Sequence, residues 1–68
     1  MAVAANLLLA GDVIQYRNEG HHQFGTVTAV VSNYDGWAEL HITDEASGKA
    51  LKVRVPSRRL MSIREEVK

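Results

Sequence analysis

Hydrophobic and polar residues alternate along most of this chain with a period of two, the signature of strands that bury one face. The clearest stretch is Trp37-Ala38-Glu39-Leu40-His41-Ile42-Thr43, where Ala38, Leu40 and Ile42 share one face and Trp37, Glu39, His41 and Thr43 share the other. Leu51, Val53 and Val55 alternate in the same way with Lys52 and Arg54, which places both cations on one solvent face, about 6–7 Å apart. Upstream, Val13-Ile14-Gln15-Tyr16-Arg17 reads as a first strand and residues 24–31 as a second. Val27, Ala29 and Val31 are expected on one face of that second strand, with Thr26, Thr28 and Val30 on the other. Gly25 within it predicts a bulge or a sharp bend.

Turn chemistry separates these runs. Gly11-Asp12, the polar stretch Asn18-Glu19-Gly20-His21-His22, the Asp35-Gly36 pair and Asp44-Glu45-Ala46-Ser47-Gly48-Lys49 all read as turns or loops. Pro56 ends the fourth strand, because it has no amide proton to give a ladder. Ser57-Arg58-Arg59-Leu60 has the length of a single 3₁₀ turn, and Met61-Ser62-Ile63 forms a closing strand. Residues 4–9 suit a short helical turn as well as an extended arm, and are read as a frayed lead-in that orders near Leu7. The expectation is therefore an all-β, five-stranded small barrel over residues 11–64 with one 3₁₀ turn before the last strand. An N-terminal arm (1–10) and a frayed C-terminal tail (65–68) flank it.

Sixty-eight residues make one domain, too small for a deep substrate cleft. A core of this size seldom supplies more than ~3–5 kcal/mol. With no cysteine, disulfides and thiolate zinc sites are excluded, which favours self-association as a source of extra stability and fits a cytoplasmic location. No run approaches the roughly 20 apolar residues that span a bilayer, so no membrane association is expected. The apolar opening MAVAANLLLAG lacks the positively charged leader of a signal peptide and is read as part of the mature protein.

Charge changes the picture more than composition does. The formal net charge is zero, but residues 46–64 hold six cations (Lys49, Lys52, Arg54, Arg58, Arg59 and Arg64) and no acid, whereas residues 1–45 hold six acids and only Arg17. Such sorting points to a basic face for an anionic partner.

Within the predicted barrel, Gly11-Asp12-Val13, Gly20 and then Phe24-Gly25-Thr26-Val27 resemble the opening of KOW and Tudor type modules of the SH3-like small-barrel superfamily. That resemblance implies a binding role, since such modules engage RNA, DNA, ribosomal or polymerase surfaces and peptide tails. The Gly-Asp pair, the glycine in the second strand, and Pro56, Leu60 and Ile63 also resemble the plasmid-borne type II dihydrofolate reductases, whose barrels share an oligomeric pore. Those enzymes carry Val-Gln-Ile-Tyr directly before the proline. Here the residues are Lys52-Val53-Arg54-Val55, so the Gln and Tyr that the resemblance requires are absent.

Two groups of side chains are candidates for binding. Lys52, Arg54, Arg58 and Arg59 form a basic strand and turn able to meet the phosphates of a nucleic acid, although cations also protect sheet edges and keep a strand face solvated. Glu39 and Glu45 lie where they can neutralise part of that row. Trp37 and Tyr34 sit beside a hairpin and are candidates for stacking a base or gripping a peptide; Trp37 equally suits an oligomer interface or a cap on the barrel's open end. His21 and His22 are neighbours on an extended segment and point apart, and with His41 they show no metal-ligand spacing, so no metal or cofactor is expected. Asp44-Glu45 and Glu65-Glu66 read as solvated pairs without tuned pKa values. Lacking a nucleophile with a base or a phosphate loop, the chain reads as a non-enzymatic binding module. Its expected partner is a nucleic acid backbone; the alternative is a protein surface, as for a self-associating adaptor or an inhibitor of a host protein encoded by a mobile element.

Overall fold

A computed structural model of the chain describes residues 1–33 and 35–64. Tyr34 and the predicted tail, including Glu65-Glu66, lie outside the described residues. The fold is all-β, in two sheets: strands β2 (Val13–Asn18), β3 (His21–Ser32), β4 (Trp37–Asp44) and β5 (Ala50–Pro56) form an antiparallel meander in that order, while β1 (Ala2–Ala4) pairs with β6 (Leu60–Ser62). One isolated bridge, Ile14 to Ile63, and a hydrogen bond from the Arg64 amide to the Val13 carbonyl (2.8 Å) link the sheets.

There are thus six strands among the described residues rather than five. The extra one is β1, in the segment expected to fray. Its register sets Ala2 against Ser62 and Ala4 against Leu60, and the ladder runs on through Ala5 N–H donating to the Arg59 carbonyl at 2.8 Å. The 3₁₀ turn is also displaced: it covers Ala5–Leu7, and its Ala5 is fully buried. Ser57 and Arg58 instead form a hydrogen-bonded turn closed by Arg59 N–H on the Pro56 carbonyl (3.0 Å). No strand pairing joins β5 to the β1–β6 pair among the described residues, so the meander does not close into a continuous barrel.

His21 and His22 belong to β3 rather than to a loop. A two-residue hairpin suffices because Glu19 (φ 51°) and Gly20 (φ 81°) both take positive φ, which a tight turn between right-twisted strands requires at its two central residues. Gly25 serves a different purpose from the bulge expected of it. A Cβ there would sit 2.3 Å from Ile42 Cγ2 and 3.0 Å from Tyr16 Cε1, so the absence of a side chain lets β3 pass close beneath both. The bulge lies further on, between Val27 and Ala29. It inverts the rest of the strand: Val30 is half-buried against the core, whereas Ala29 and Val31 face out. Past Thr28 the expected phase is therefore wrong, because one extra residue exchanges the two faces.

β4 and β5 keep their predicted phase. Ala38, Leu40 and Ile42 are buried, Leu51 and Val53 are half-buried beneath them, and Val55 is buried. With Ile14, Tyr16 and Val27 from β2 and β3 and Met61 from β6, they make one core, capped by Ala5 and Leu8. Each fully buried Ile or Leu contributes roughly 1.5–3 kcal/mol.

Candidate binding surface

The surface of interest follows from which way each β5 residue turns its backbone. Asp44 N–H donates to the Lys49 carbonyl (2.8 Å) and Ser57 N–H to the Gly36 carbonyl (2.9 Å), and both pairs fall on the β4–β5 register. Hydrogen-bonded pairs recur at every second residue of an antiparallel ladder, so Leu51, Val53 and Val55 bond to β4. Ala50, Lys52 and Arg54 turn their N–H and C=O groups to the opposite side, where no strand and no other backbone group among the described residues meets them. β5 is an open edge.

Its side chains divide as the sequence predicts. Lys52 and Arg54 project from the outer face, 70% and 60% exposed, and Arg58 and Arg59 follow on the exposed turn. The structure brings Arg54 and Trp37 together: the guanidinium lies 5.2 Å from the indole centroid, over a ring that is itself partly exposed. Asp35 completes this group, its Oδ2 accepting from Arg54 Nη2 at 2.6 Å while its Oδ1 accepts the Trp37 N–H at 3.1 Å. Trp37 therefore lies on the outer face beside the open edge. It does not enter the core.

The acids behave only partly as expected. Glu39 sits between Lys52 Nζ (3.9 Å) and His41 Nε2 (3.2 Å). Glu45 leaves the row and pairs with Arg64 at 2.7 Å, whose guanidinium also covers the Phe24 ring. No carboxylate among the described residues pairs with Arg58, Arg59 or Lys49. At such exposures each of these ion pairs is worth about 0–1 kcal/mol and exchanges readily for another anion.

Sequence reasoning missed one polar group altogether. Asp44, read as a solvated loop residue, ends β4 with its carboxylate buried. Tyr16 Oη donates to Oδ1, while the Ser47 amide (2.9 Å) and hydroxyl (3.0 Å) donate to Oδ2. The Tyr16 hydrogen bond, with those from Ser47, holds the Asp44 carboxyl below its ordinary 3.8. Burial, reinforced by the same carboxylate, pushes the Tyr16 phenol up to about 12. The alternation Ala38, Leu40, Ile42, Asp44 and the Asp-x-x-Ser spacing to Ser47 are signals that would have found it. Its donors fully engage it, so this pair pins the β4–β5 loop to β2.

Two shallow depressions flank β5. One, of about 170 Å³, is lined by Thr28, His41 and Lys52 among others; the second, of about 320 Å³, lies between Asn18, Gln23, Asp44 and Lys49. His21 and His22 are exposed at the start of β3, away from His41.

Among the described residues, fold and surface together define a small all-β domain with an open, cation-bearing sheet edge. No protein-family model matches the chain, and no curated protein or solved structure matches it. Among the described residues, no helix is long and apolar enough to cross a membrane.

Proposed function

We propose that this chain is a non-enzymatic binding module that recognises a protein partner through β5, its outer face and the turn that follows. The observation that carries this reading is the backbone at Ala50, Lys52 and Arg54, unpaired among the described residues, beside a partly exposed tryptophan. An open strand edge is a template for another polypeptide, and nucleic acids have no matching ladder to offer. A net charge of zero, with Glu39 and Asp35 interleaved among the cations, fits a protein surface better than a polyphosphate. The fold belongs to the same proposal: the succession β6–β2–β3–β4–β5, joined across the Ile14–Ile63 bridge and with a tight turn before β6, supports an SH3-like small barrel. A cysteine-free chain suits the reducing cytoplasm.

A nucleic acid backbone is the second reading, favoured by Arg58 and Arg59, which carry no ion pair among the described residues. A pull-down from lysate with and without nuclease, using wild type and the K52E/R54E double variant, separates the two. Capture that survives nuclease and is lost in the double variant is the expected result. Capture abolished by nuclease alone overturns the protein reading in favour of nucleic acid.

A further inference from the structure

We infer that the open edge of β5 accepts an extended acidic segment of a partner protein as an added strand. This inference rests on the protein-binding reading and specifies what the partner presents.

The backbone supplies the first half of the argument. The outward N–H and C=O groups of Ala50, Lys52 and Arg54 stand in register on a strand already fixed by its ladder to β4, so an incoming strand pays no entropy for ordering this side. Pro56 closes the row. It has no N–H, and its carbonyl is taken by Arg59, which limits the template to β5 itself, about 20 Å long at roughly 3.3 Å per residue. Main-chain hydrogen bonds to such an edge give affinity, and side chains at alternate positions give specificity.

The side chains supply the second half. On the outer face an added strand meets Lys52 and Arg54, with Arg58 and Arg59 beyond its end. On the inner face it meets the half-buried Leu51 and Val53. The matching segment therefore alternates carboxylates with apolar residues. A second copy of β5 is the wrong occupant: a two-fold pairing through the outward-facing groups centres on Lys52, setting it against itself and Ala50 against Arg54, and like charges directly opposite are destabilising. The cations that stop the edge from pairing with itself thus select an acidic strand in its place. Asp35 already shows the exchangeable contact, a carboxylate on Arg54 above Trp37.

The test uses the full chain, isotope-labelled for amide hydrogen exchange, and a capped synthetic peptide of alternating Glu and Val about as long as β5. Binding should slow exchange at Lys52 and Arg54, whose amides have no backbone partner among the described residues, by at least ~10-fold. A peptide with Lys for Glu, and one N-methylated at the amides that would bond β5, should each bind at least ~10-fold more weakly. The methylated peptide leaves the protein untouched, so that comparison holds even if K52E/R54E fails to fold. Equal binding of the methylated peptide overturns strand addition. So does protection at Lys52 and Arg54 that grows with protein concentration alone, because a second copy then fills the edge. If no acidic peptide protects β5 while nuclease-resistant capture persists, strand addition falls and the protein-binding reading stands. Stronger binding of a labelled single-stranded oligonucleotide, with no amide of β5 slowed, overturns both.

Discussion

Substituting Gly25 by alanine is the sharpest probe of how tightly the meander is wound. The new methyl carbon would lie 2.3 Å from Ile42 Cγ2, 3.0 Å from Tyr16 Cε1 and 3.1 Å from the Thr43 carbonyl oxygen. Carbon atoms prefer about 3.5–4.0 Å, so Ile42 must retreat by more than ~1 Å. It has nowhere to go, being 1% exposed, and Tyr16 is held by its bond to Asp44. Gly25 itself is pinned between Ile14 and Asp44 in the two flanking strands. Its φ is not positive, so alanine meets no backbone penalty, and the reduced freedom of the unfolded chain returns ~0.4–1 kcal/mol. Overpacking costs ~1–3 kcal/mol or more, and a 2.3 Å contact belongs at the upper end of that range, which leaves a net loss of about 2 kcal/mol. At ~4–8 °C per kcal/mol for a domain of this size, Tm should fall by roughly 8–16 °C. Urea unfolding followed by the single tryptophan measures it directly. The combination G25A/I42L removes the clashing Cγ2, so it should cost less than the sum of the two single changes. A G25A protein as stable as the parent would refute the close approach of β3 to Ile42 and the winding inferred from it.

Two further outcomes test the register and the buried polar pair. If the bulge inverts the end of β3, V30D should destabilise by at least ~2 kcal/mol while V31D stays within ~0.5 kcal/mol; chemical denaturation that ranks them the other way restores the unbulged phase. Asp44 has a folded pKa below its unfolded 3.8, so its contribution is present above that value and is lost as pH falls below it. Tyr16 is shifted the opposite way, so its contribution holds below pH 10 and is lost as pH rises from 10 through about 12. Stability measured against pH should decline at both extremes, and in Y16F the alkaline decline should shrink while the Asp44 carboxyl, followed by carbon NMR, moves back up.

The parts of the fold that were legible in the sequence are those where a single periodicity governs. In β4 and β5 one face is uniformly apolar, so the inward set and the outward Lys52 and Arg54 follow from alternation alone. Residues 26–31 carry β-branched side chains on both faces, and nothing in composition marks Thr28 as the extra residue that inverts the phase. Ala2–Ala4 is small, apolar and without alternation, and it becomes a strand only because Leu60–Ser62 arrives beside it from the far end of the chain. Asp44 sits in a stretch with the composition of a loop, and its burial depends on Tyr16, 28 residues away. Arg54 meets Asp35 rather than its register partner Glu39, because the hairpin folds the Asp35 carboxylate back over Trp37. The sheet edge was invisible for a related reason: whether a strand has one neighbour or two is decided by the assembly of the whole sheet.

The pairing of Ala2–Ala4 with Leu60–Ser62 also bears on how the molecule assembles in time. Each hairpin of the meander joins neighbours in sequence, whereas this ladder closes a loop of almost the whole chain, at an entropic cost of about 3.6 kcal/mol by logarithmic scaling. It is therefore expected to form after the hairpins, and a substitution that weakens it should quicken unfolding with little change in the folding rate, as measured by stopped-flow kinetics across a denaturant series.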